Sequence, residues 1–372
     1  MIYLDSAATS LLKPPSVVRA TAMAMRTMAS PGRGGHGAAM RAADTVFACR
    51  EAAAELFHVP EPERVVFTMN ATHALNIAIY SLVSPGDPVV ISGYEHNSVT
   101  RPLHALGAQV RVAESPLFEP EAVGAFRRAL PGAKAAVCTM VSNVFGYLLP
   151  VREIAELCAA AGVPLIVDAS QAAGCVAFDA AALGAAFVAM PGHKGLLGPQ
   201  GTGILLCFAQ PKPLLCGGTG SQSMLQDMPE DLPDRLEAGT HNVPGIAGLL
   251  AGIRYLSAQG VENIERRERR LAQRLTAQMR AEPRLEVFAA PDPACQTAVL
   301  SVRCRDMDSE LLAQKLAQYG IAVRAGLHCA PVAHRSAGTL ETGTVRLSLS
   351  PFNTDAEIAR TARVFHEILR AG

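Results

Sequence analysis

The central part of the sequence alternates short apolar segments with helical ones, and this alternation limits the possible folds more than any other feature. Seven segments are predicted strands: 64–68, 88–92, 108–113, 135–140, 164–170, 185–190 and 203–208. Their apolar residues are continuous, as in strands that are buried on both faces. Helical segments at 71–83, 119–130 and 151–162 separate several of them. The pattern predicts an α/β fold with a mostly parallel sheet covered by helices on both sides.

The character of the sequence changes after about residue 243. A strongly charged helical segment is followed by LEVFAA, TAVLSVRC, a helix over 308–319, IAVRAG, TVRLSLS and a closing helix from Thr354. This order predicts a smaller α+β domain. We expect a large α/β domain over 14–243 and a small domain built from 1–13 and 244–372. Upstream, residues 37–57 predict one long amphipathic helix.

The charge balance excludes several classes of partner. The 372 residues include 33 basic and 33 acidic side chains, so the formal net charge at pH 7 is zero. This argues against broad attraction to nucleic acid or to anionic lipid. No apolar run is long enough to cross a bilayer, and Asp5 interrupts the start of the chain where a leader would be apolar. We expect a cytoplasmic protein.

The nine cysteines are an odd number and include no C-x-x-C pair. Most lie in apolar stretches such as AAVCTM and GILLCF, where cysteine behaves as a small buried side chain. The distribution argues against a disulfide framework and against a zinc site. We expect no bound metal and at most one or two chemically active thiols.

Polar side chains follow five of the predicted strands at the point where each strand ends. They are the MNATH segment before a helix, His96, Asn143, Asp168 with Gln171, and His193 with Lys194. Ligands of open α/β sheets bind outside this edge. Each group has an ordinary alternative: a loop histidine, a helix N-cap aspartate, or a surface turn in the glycine-rich MPGHKGLLGPQGTG segment.

Together these groups fit an aldehyde cofactor that carries a pyridine ring and a phosphate. Lys194 would form a Schiff base, because a partly desolvated lysine loses its proton and an arginine does not. Asp168 would keep the ring nitrogen protonated, so that the ring accepts electrons from a carbanion. The free amides at the start of the helix after MNATH would bind the phosphate.

These motifs resemble those of a known family. The spacing from D-A-S-Q at 168–171 to G-H-K at 192–194 resembles the class V aminotransferases, which are fold-type I pyridoxal 5'-phosphate enzymes. The cysteine desulfurases share the segments YLDSAAT (3–9), EHNS (95–98), EAGTHN (237–242) and RAGLHC (324–329). The R-x-G-x-x-C form is similar to the Suf-type, or class II, branch, which also contains selenocysteine lyases. The resemblance runs from residue 3 to about residue 355 and implies a homodimer.

The resemblance implies a role for each residue around the cofactor ring. Lys194 would hold the cofactor covalently, Asp168 would pair with the ring nitrogen, and Gln171 would bond the ring hydroxyl oxygen. His96 would stack on the ring. Asn143 would lie beside both cofactor and substrate.

Further residues are implied at the phosphate and at the substrate. The phosphate would contact Ala71, Thr72, His193 and, from a second subunit, Thr240. The substrate would contact Arg346, Arg324, Asn143 and Ala8, with two parallel bonds from Arg346 to its carboxylate.

Two departures from the family concern the phosphate. Family members commonly have G-T-T where this chain has Asn70, Ala71 and Thr72, and serine where it has Pro191. We expect backbone amides to replace these contacts. The CGGTGSQS segment at 216–223 is either a further source of such contacts or a flexible loop.

Cys329 is the predicted nucleophile. It lies in RAGLHCAP, where Gly326 predicts mobility and where Arg324 and His328 are expected to supply positive charge. A thiol near cations ionises more easily. The resemblance implies that Lys194 removes the substrate α-proton and that Cys329 attacks the substrate sulfur. The products would be L-alanine and an enzyme persulfide, whose sulfur would pass to an acceptor, expected to be a protein, or to a reductant.

The predicted function is therefore that of an L-cysteine desulfurase, a pyridoxal 5'-phosphate-dependent sulfurtransferase. One alternative is a selenocysteine lyase, whose substrate differs by one atom. A second is another reaction of the family, transamination or racemisation, with Cys329 a bystander. A third is a non-catalytic sulfur carrier or scaffold that kept the fold.

Overall fold

The computed structural model describes residues 1–31 and 34–371. Its strands are β1 (Ile2–Tyr3), β2 (Val65–Thr68), β3 (Pro88–Ser92), β4 (Gln109–Ala113), β5 (Ala135–Thr139), β6 (Leu165–Asp168), β7 (Phe187–Pro191), β8 (Gly203–Cys207), β9 (Leu285–Phe288), β10 (Val299–Cys304), β11 (Ile321–Ala322), β12 (Arg324–Gly326) and β13 (Thr344–Ser348). Its helices are α1 (Pro15–Thr27), α2 (Gly37–Phe57), α3 (Ala71–Leu82), α4 (Asn97–Ala105), α5 (Ala122–Ala129), α6 (Val151–Ala160), α7 (Val243–Gln259), α8 (Val261–Met279), α9 (Ser309–Gln318), α10 (Pro331–Ser336) and α11 (Asp355–Ala371).

The seven strands predicted between residues 64 and 208 form one sheet, in the order β2-β8-β7-β6-β5-β3-β4. Strands β4, β3, β5, β6 and β7 run parallel to one another, whereas β8 is antiparallel to both β7 and β2. Every residue of β5, β6, β7 and β8 is buried, which explains their continuous apolarity. The predicted α/β fold with a mostly parallel sheet is confirmed.

Helix α7 supports this sheet from one side, packing against α1 and α2. Its glycines allow the close approach. A Cβ at Gly248 would collide with Thr21 of α1, and one at Gly252 would collide with the carbonyl oxygen of Leu196. Helix α7 thus packs directly on the loop that carries Lys194, and the glycine stripe fixes the depth of that contact.

The smaller sheet is antiparallel, in the order β12-β13-β10-β9, with α8, α9 and α11 packed around it. The N-terminal strand β1 joins this part by pairing with β11 in parallel, Ile2 opposite Ile321. The segment IAVRAG, predicted as one strand, is divided into β11 and β12 because its two halves pair with different strands, β1 and β13.

We propose two domains divided near the predicted boundaries. The pairing of β1 with β11 supports assigning residues 1–13 to the small domain. Residues of α7 and the start of α8, including Val243 and Ile264, share the hydrophobic core of the large sheet. Their packing favours a second boundary later than residue 243. In the described part of the chain, no helix is both long and apolar enough to span a membrane.

Candidate active site

Lys194 lies in the loop between β7 and β8, at the carboxyl edge of the parallel strands. Pro191 pairs with Gly203 across the base of this loop, and the Gly192 N–H donates to the Thr202 carbonyl oxygen at 2.8 Å. A Cβ at Gly195 would collide with the carbonyl oxygen of Ala173, so the loop requires glycine there. The glycine-rich sequence is therefore needed to hold the lysine close against the sheet.

Burial lowers the pKa of Lys194 to about 8. The Asp168 carboxylate opposes this shift, whereas the Arg346 and Arg324 guanidinium groups add to it. The side chain is half-buried. A lysine in this state carries a substantial neutral fraction near neutral pH, which a nucleophilic amine needs.

Asp168 is the last residue of β6, the strand next to β7, and it is 3 % exposed. Its carboxylate accepts a hydrogen bond of 2.9 Å from the Ser170 N–H. The residues after it form turns and not a helix, so the N-cap alternative does not hold. The sheet therefore brings a buried carboxylate and the Lys194 amine to the same edge.

His96 caps helix α4: its Nδ1 accepts a hydrogen bond of 3.0 Å from the Ser98 N–H. Burial lowers its pKa to about 4, and the charge of Lys194 adds to this shift. The imidazole is therefore neutral at pH 7. The cap fixes one ring nitrogen and leaves the ring plane available for stacking.

The start of helix α3 lies beside His96. Asn70 caps this helix by accepting from the His73 N–H at 2.9 Å, and the Thr72 hydroxyl bonds the Ser98 hydroxyl at 2.8 Å. The first N–H groups of a helix have no partner within it, and here these belong to Ala71 and Thr72. The sequence NAT thus still forms a capped helix start with free backbone N–H groups, although it lacks the G-T-T pattern; its predicted contact with the phosphate stays a prediction.

The N-terminal YLDSAAT segment lies along the same edge. The Gln171 side-chain amide donates to the Ala7 carbonyl oxygen at 3.0 Å, which places Ala8 next to this contact. His193 Nδ1 bonds the Thr9 hydroxyl at 3.0 Å. Burial lowers the pKa of His193 to about 4, so it is neutral. Its predicted contact with the phosphate stays a prediction.

Arg346 of β13 is 2 % exposed and is held by two oxygen atoms. Its Nη1 donates to the Asn143 carbonyl oxygen at 3.0 Å, and its Nη2 donates to Asp5 Oδ1 at 2.7 Å. Burial lowers the pKa of Arg346 from its ordinary value. Arg324 of β12 is the cross-strand partner of Arg346 and is exposed. The ion pair with Asp5 was not predicted, although Asp5 lies inside the YLDSAAT motif.

Cys329 is exposed on the loop between β12 and α10. Both His328 and Cys329 have left-handed backbone conformations, with φ of 48° and 57°. The Cys329 carbonyl oxygen accepts from the Asn97 N–H at 2.7 Å, and the His328 carbonyl oxygen accepts from the Asn143 amide at 2.8 Å. The loop is therefore tied to the residues that follow β3 and β5.

The prediction that His328 adds positive charge beside Cys329 is wrong. The His328 ring is buried, its Nε2 lies 3.2 Å from the Thr344 carbonyl oxygen, and it stacks on His334 with a centroid distance of 5.8 Å. Burial, with Arg346 nearby, lowers its pKa to about 2. His328 is therefore neutral, and Arg324 is the cation that this loop segment exposes.

The EAGTHN segment is anchored by Glu237, which is buried. Its carboxylate accepts from the Arg50 guanidinium, from the Phe67 N–H at 2.6 Å and from His241 Nε2 at 2.6 Å. Thr240 is exposed and lines a cavity of about 200 Å³. Residues 216–223 form neither helix nor strand, and the Gly218 carbonyl oxygen accepts from the Gly239 N–H at 2.8 Å. Phosphate contacts from both segments stay predictions.

All nine cysteines lie in the described ranges and carry free thiols. Cys216 and Cys329 are exposed, and the other seven are buried or half-buried. The prediction that most of them are buried hydrophobic residues is confirmed. Among residues 1–31 and 34–371, no group of three or more His, Cys, Asp or Glu side chains is placed to hold a metal.

Comparison with known proteins identifies relatives over the whole chain. The family model for aminotransferase class V matches residues 2–361. A probable cysteine desulfurase of Methanothermobacter thermautotrophicus is 34% identical over 100% of this chain and 95% of its own length. A probable cysteine desulfurase of Xylella fastidiosa is 33% identical over 97% of this chain and 89% of its own.

Solved structures agree with these relatives. The apo cysteine desulfurase of Thermococcus onnurineus superposes with a TM-score of 0.91 at 29% identity, over 100% of this chain and 95% of its own. The cysteine desulfurase CsdA of Escherichia coli, in an S-sulfonic acid form, superposes with a TM-score of 0.86 at 27% identity. The match covers 99% of this chain and 94% of that one. The predicted fold type is confirmed. The chain belongs to the aminotransferase class V family and, within it, to the cysteine desulfurases.

Proposed function

We propose that this chain is a pyridoxal 5'-phosphate-dependent L-cysteine desulfurase that forms a persulfide on Cys329. One arrangement carries the proposal. An exposed thiol stands on a loop whose backbone is hydrogen-bonded to Asn97, next to His96, and to Asn143. These hydrogen bonds support an approach of the thiol to the sheet edge that also carries Lys194 and Asp168. The relatives that share the whole chain are named cysteine desulfurases.

The described residues fit this cofactor. Lys194 supplies an amine whose pKa is lowered to about 8, and Asp168 supplies a buried carboxylate for a ring nitrogen. The neutral His96 would stack on the ring, and Gln171 would bond its hydroxyl oxygen. When bound, the cofactor supplies an electron sink for the electron pair left on the substrate α-carbon.

The phosphate would be held mainly by backbone. The free amides of Ala71 and Thr72 at the start of α3 support this assignment, as does the exposed Thr72 hydroxyl. His193 would approach from the Lys194 loop. Thr240 would come from a second subunit, since its side chain is exposed.

The reaction would use three side chains that contact substrate. Arg346 binds the carboxylate, with the exposed Arg324 beside it. The Lys194 amine takes the α-proton, for which it must be neutral. The Cys329 sulfur attacks the substrate sulfur, so that an S–S bond forms and the substrate C–S bond breaks. L-Cysteine and the enzyme thiol thereby become L-alanine and the enzyme persulfide, with no other oxidant or reductant.

A homodimer and a protein sulfur acceptor are part of the proposal. Helices α1 and α2 expose large apolar side chains, which a subunit interface would cover. They are Val18, Met23, Met25, Met40 and Phe47. Exposure of Cys329 supports transfer of its sulfur to another protein.

Replacement of Cys329 tests the function. Wild-type protein should show a visible cofactor band that changes on addition of L-cysteine, with L-alanine formed. The C329A variant should keep the band and lose alanine formation and the persulfide, as measured by mass spectrometry. The C216A variant is the matched control, because Cys216 is the other exposed cysteine, and it should retain activity. Undiminished turnover of L-cysteine by C329A, with a keto acid or D-cysteine formed in place of L-alanine, would favour transamination or racemisation.

A further inference from the structure

The guanidinium of Arg346 is closed off by Asp5. Arg346 is 2 % exposed, whereas the Asp5 side chain is 21 % exposed. Asp5 is therefore on the solvent side of the ion pair. Arg346 Nε is buried and has no hydrogen-bond partner in the described part of the chain. A carboxylate that arrives from solvent thus meets Asp5 before it reaches Arg346.

The Asp5 carboxylate also balances charge. Arg346 and Arg324 face each other on β13 and β12, so two guanidinium groups lie on neighbouring strands. Each lowers the pKa of its neighbours, Lys194 included. The Asp5 carboxylate lies within ion-pair distance of Arg346, at 2.7 Å. It neutralises one charge of a site that would otherwise attract any anion.

The backbone around Asp5 is anchored, so that only its side chain needs to move. Asp5 forms a bridge with Ser348 of β13, and the Ser6 N–H donates to the Ser348 carbonyl oxygen at 3.2 Å. The Ala7 N–H donates to the Ser348 hydroxyl at 2.9 Å. Rotation of the Asp5 side chain would free Arg346 Nη2 without displacing the YLDSAAT segment.

We propose that the Asp5 carboxylate occupies Arg346 when no substrate is bound, and that the substrate carboxylate displaces it from Arg346 on binding. This rests on the proposed function, in which Arg346 binds that carboxylate. The exchange replaces one carboxylate by another, so the buried arginine is never left without a counter-ion. After the exchange, the Asp5 charge lies beside the bound substrate and disfavours amino acids with a second carboxylate. Asp5 is thus a specificity-determining residue.

The D5N variant tests the exchange. Asparagine keeps an oxygen that accepts from Nη2 and loses only the charge, so we expect a folded protein, verified by its thermal unfolding midpoint. The KM for L-cysteine should fall by about fivefold with little change in kcat, because a neutral hydrogen bond is easier to displace than a charge-assisted one. L-Aspartate should inhibit the D5N variant more strongly than it inhibits wild type. An unchanged or raised KM would show that Asp5 only positions Arg346.

A binding experiment separates this inference from the proposed function. Sodium sulfate is titrated calorimetrically into the full-length chain loaded with cofactor, so that the cofactor phosphate occupies the other expected anion site and no turnover occurs. D5N should bind sulfate about fivefold more tightly than wild type, and the double variant D5N/R346Q should lose that gain. Equal affinity in D5N and wild type would overturn the inference, whatever the reaction proves to be. The control is E286Q, which removes the carboxylate partner of Arg303 on the same sheet and should leave both measurements unchanged.

Discussion

The side-chain amide of Asn143 donates a hydrogen bond of 2.8 Å to the carbonyl oxygen of His328. This bond ties the loop of Cys329 to the residue that follows β5. The carbonyl oxygen of the same asparagine accepts from Arg346 at 3.0 Å. Asn143 therefore connects the proposed nucleophile loop with the proposed carboxylate-binding residue, using its side chain for one and its backbone for the other.

We predict that N143A loosens the Cys329 loop and leaves the Arg346 contact in place. Loss of one hydrogen bond, about 1 kcal/mol, should raise the alkylation rate of Cys329 by iodoacetamide about fivefold. Peptide mass spectrometry resolves Cys329 from Cys216, which is exposed on another segment and serves as the internal control. An unchanged ratio of the two rates would mean that Asn143 does not restrain the loop.

The lowered pKa of Lys194 predicts how cofactor capture depends on pH. Only the neutral amine attacks an aldehyde, so the rate of capture by cofactor-free protein should rise with a midpoint near pH 8. An ordinary lysine would show its midpoint near 10.5. Absorbance measures the rate, and borohydride fixes the product. The K194A variant should retain no fixed cofactor, and a midpoint above about pH 10 would contradict the assignment.

Glu268 should make stability depend on pH. It is 3 % exposed on α8, and burial raises its pKa to about 8. Between its ordinary pKa of 4.5 and 8 the folded chain holds a proton that the unfolded chain has released. The stability that Glu268 contributes is therefore complete below the lower value and declines as pH rises to the upper one.

The E268Q variant measures this dependence. Urea midpoints of wild type and E268Q are compared at pH 5 and pH 9, and wild type should lose stability relative to E268Q at the higher pH. E262Q alters an exposed glutamate of the same helix and should track wild type at both values. A constant difference between wild type and E268Q across the range would disprove the raised pKa.

The buried pair of Arg50 and Glu237 should show strong energetic coupling. E237A leaves a buried guanidinium unpaired, at a cost of about 3–5 kcal/mol in the free energy of unfolding. The double variant R50M/E237L removes both charges and should be less destabilised than E237A alone, as measured by urea unfolding. If the double variant is equally unstable, the hydrogen bond from the Phe67 N–H to Glu237 contributes more to stability than the ion pair does.

The sequence predicted the sheet well because a strand buried on both faces appears in the sequence as a continuous run of apolar residues. Continuous apolarity marks β5 to β8 within a few residues of their observed bounds, and the long helix over 37–57 is α2. Helix α7 was missed because glycines at 245, 248 and 252 lower helix propensity. These glycines allow α1 and the Lys194 loop to pack closely against α7, and that contact exists only in the folded chain.

The sequence predicted which residues belong to the candidate site more reliably than it predicted their protonation and their ion pairs. His328 was expected to be charged, but burial decides the protonation of a histidine, and burial is a property of the fold. Asp5 and Arg346 are 341 residues apart in the chain, so no local pattern reveals their ion pair. Both cases concern contacts that form only when distant parts of the chain pack together.

Lys194 lies on a hairpin of the seven-stranded sheet, whereas Cys329 lies on a loop of the other sheet. The amine and the thiol are thus carried by two different sheets, which hydrogen bonds from Asn97 and Asn143 to the Cys329 loop connect. In the proposed reaction, a change in the length of the 327–330 loop would alter where sulfur is delivered, while the β7–β8 hairpin that carries Lys194 would keep its own strand pairing. Carbon chemistry and sulfur delivery in the proposed reaction would then depend on different segments of the chain, so that one could change in evolution while the other is retained.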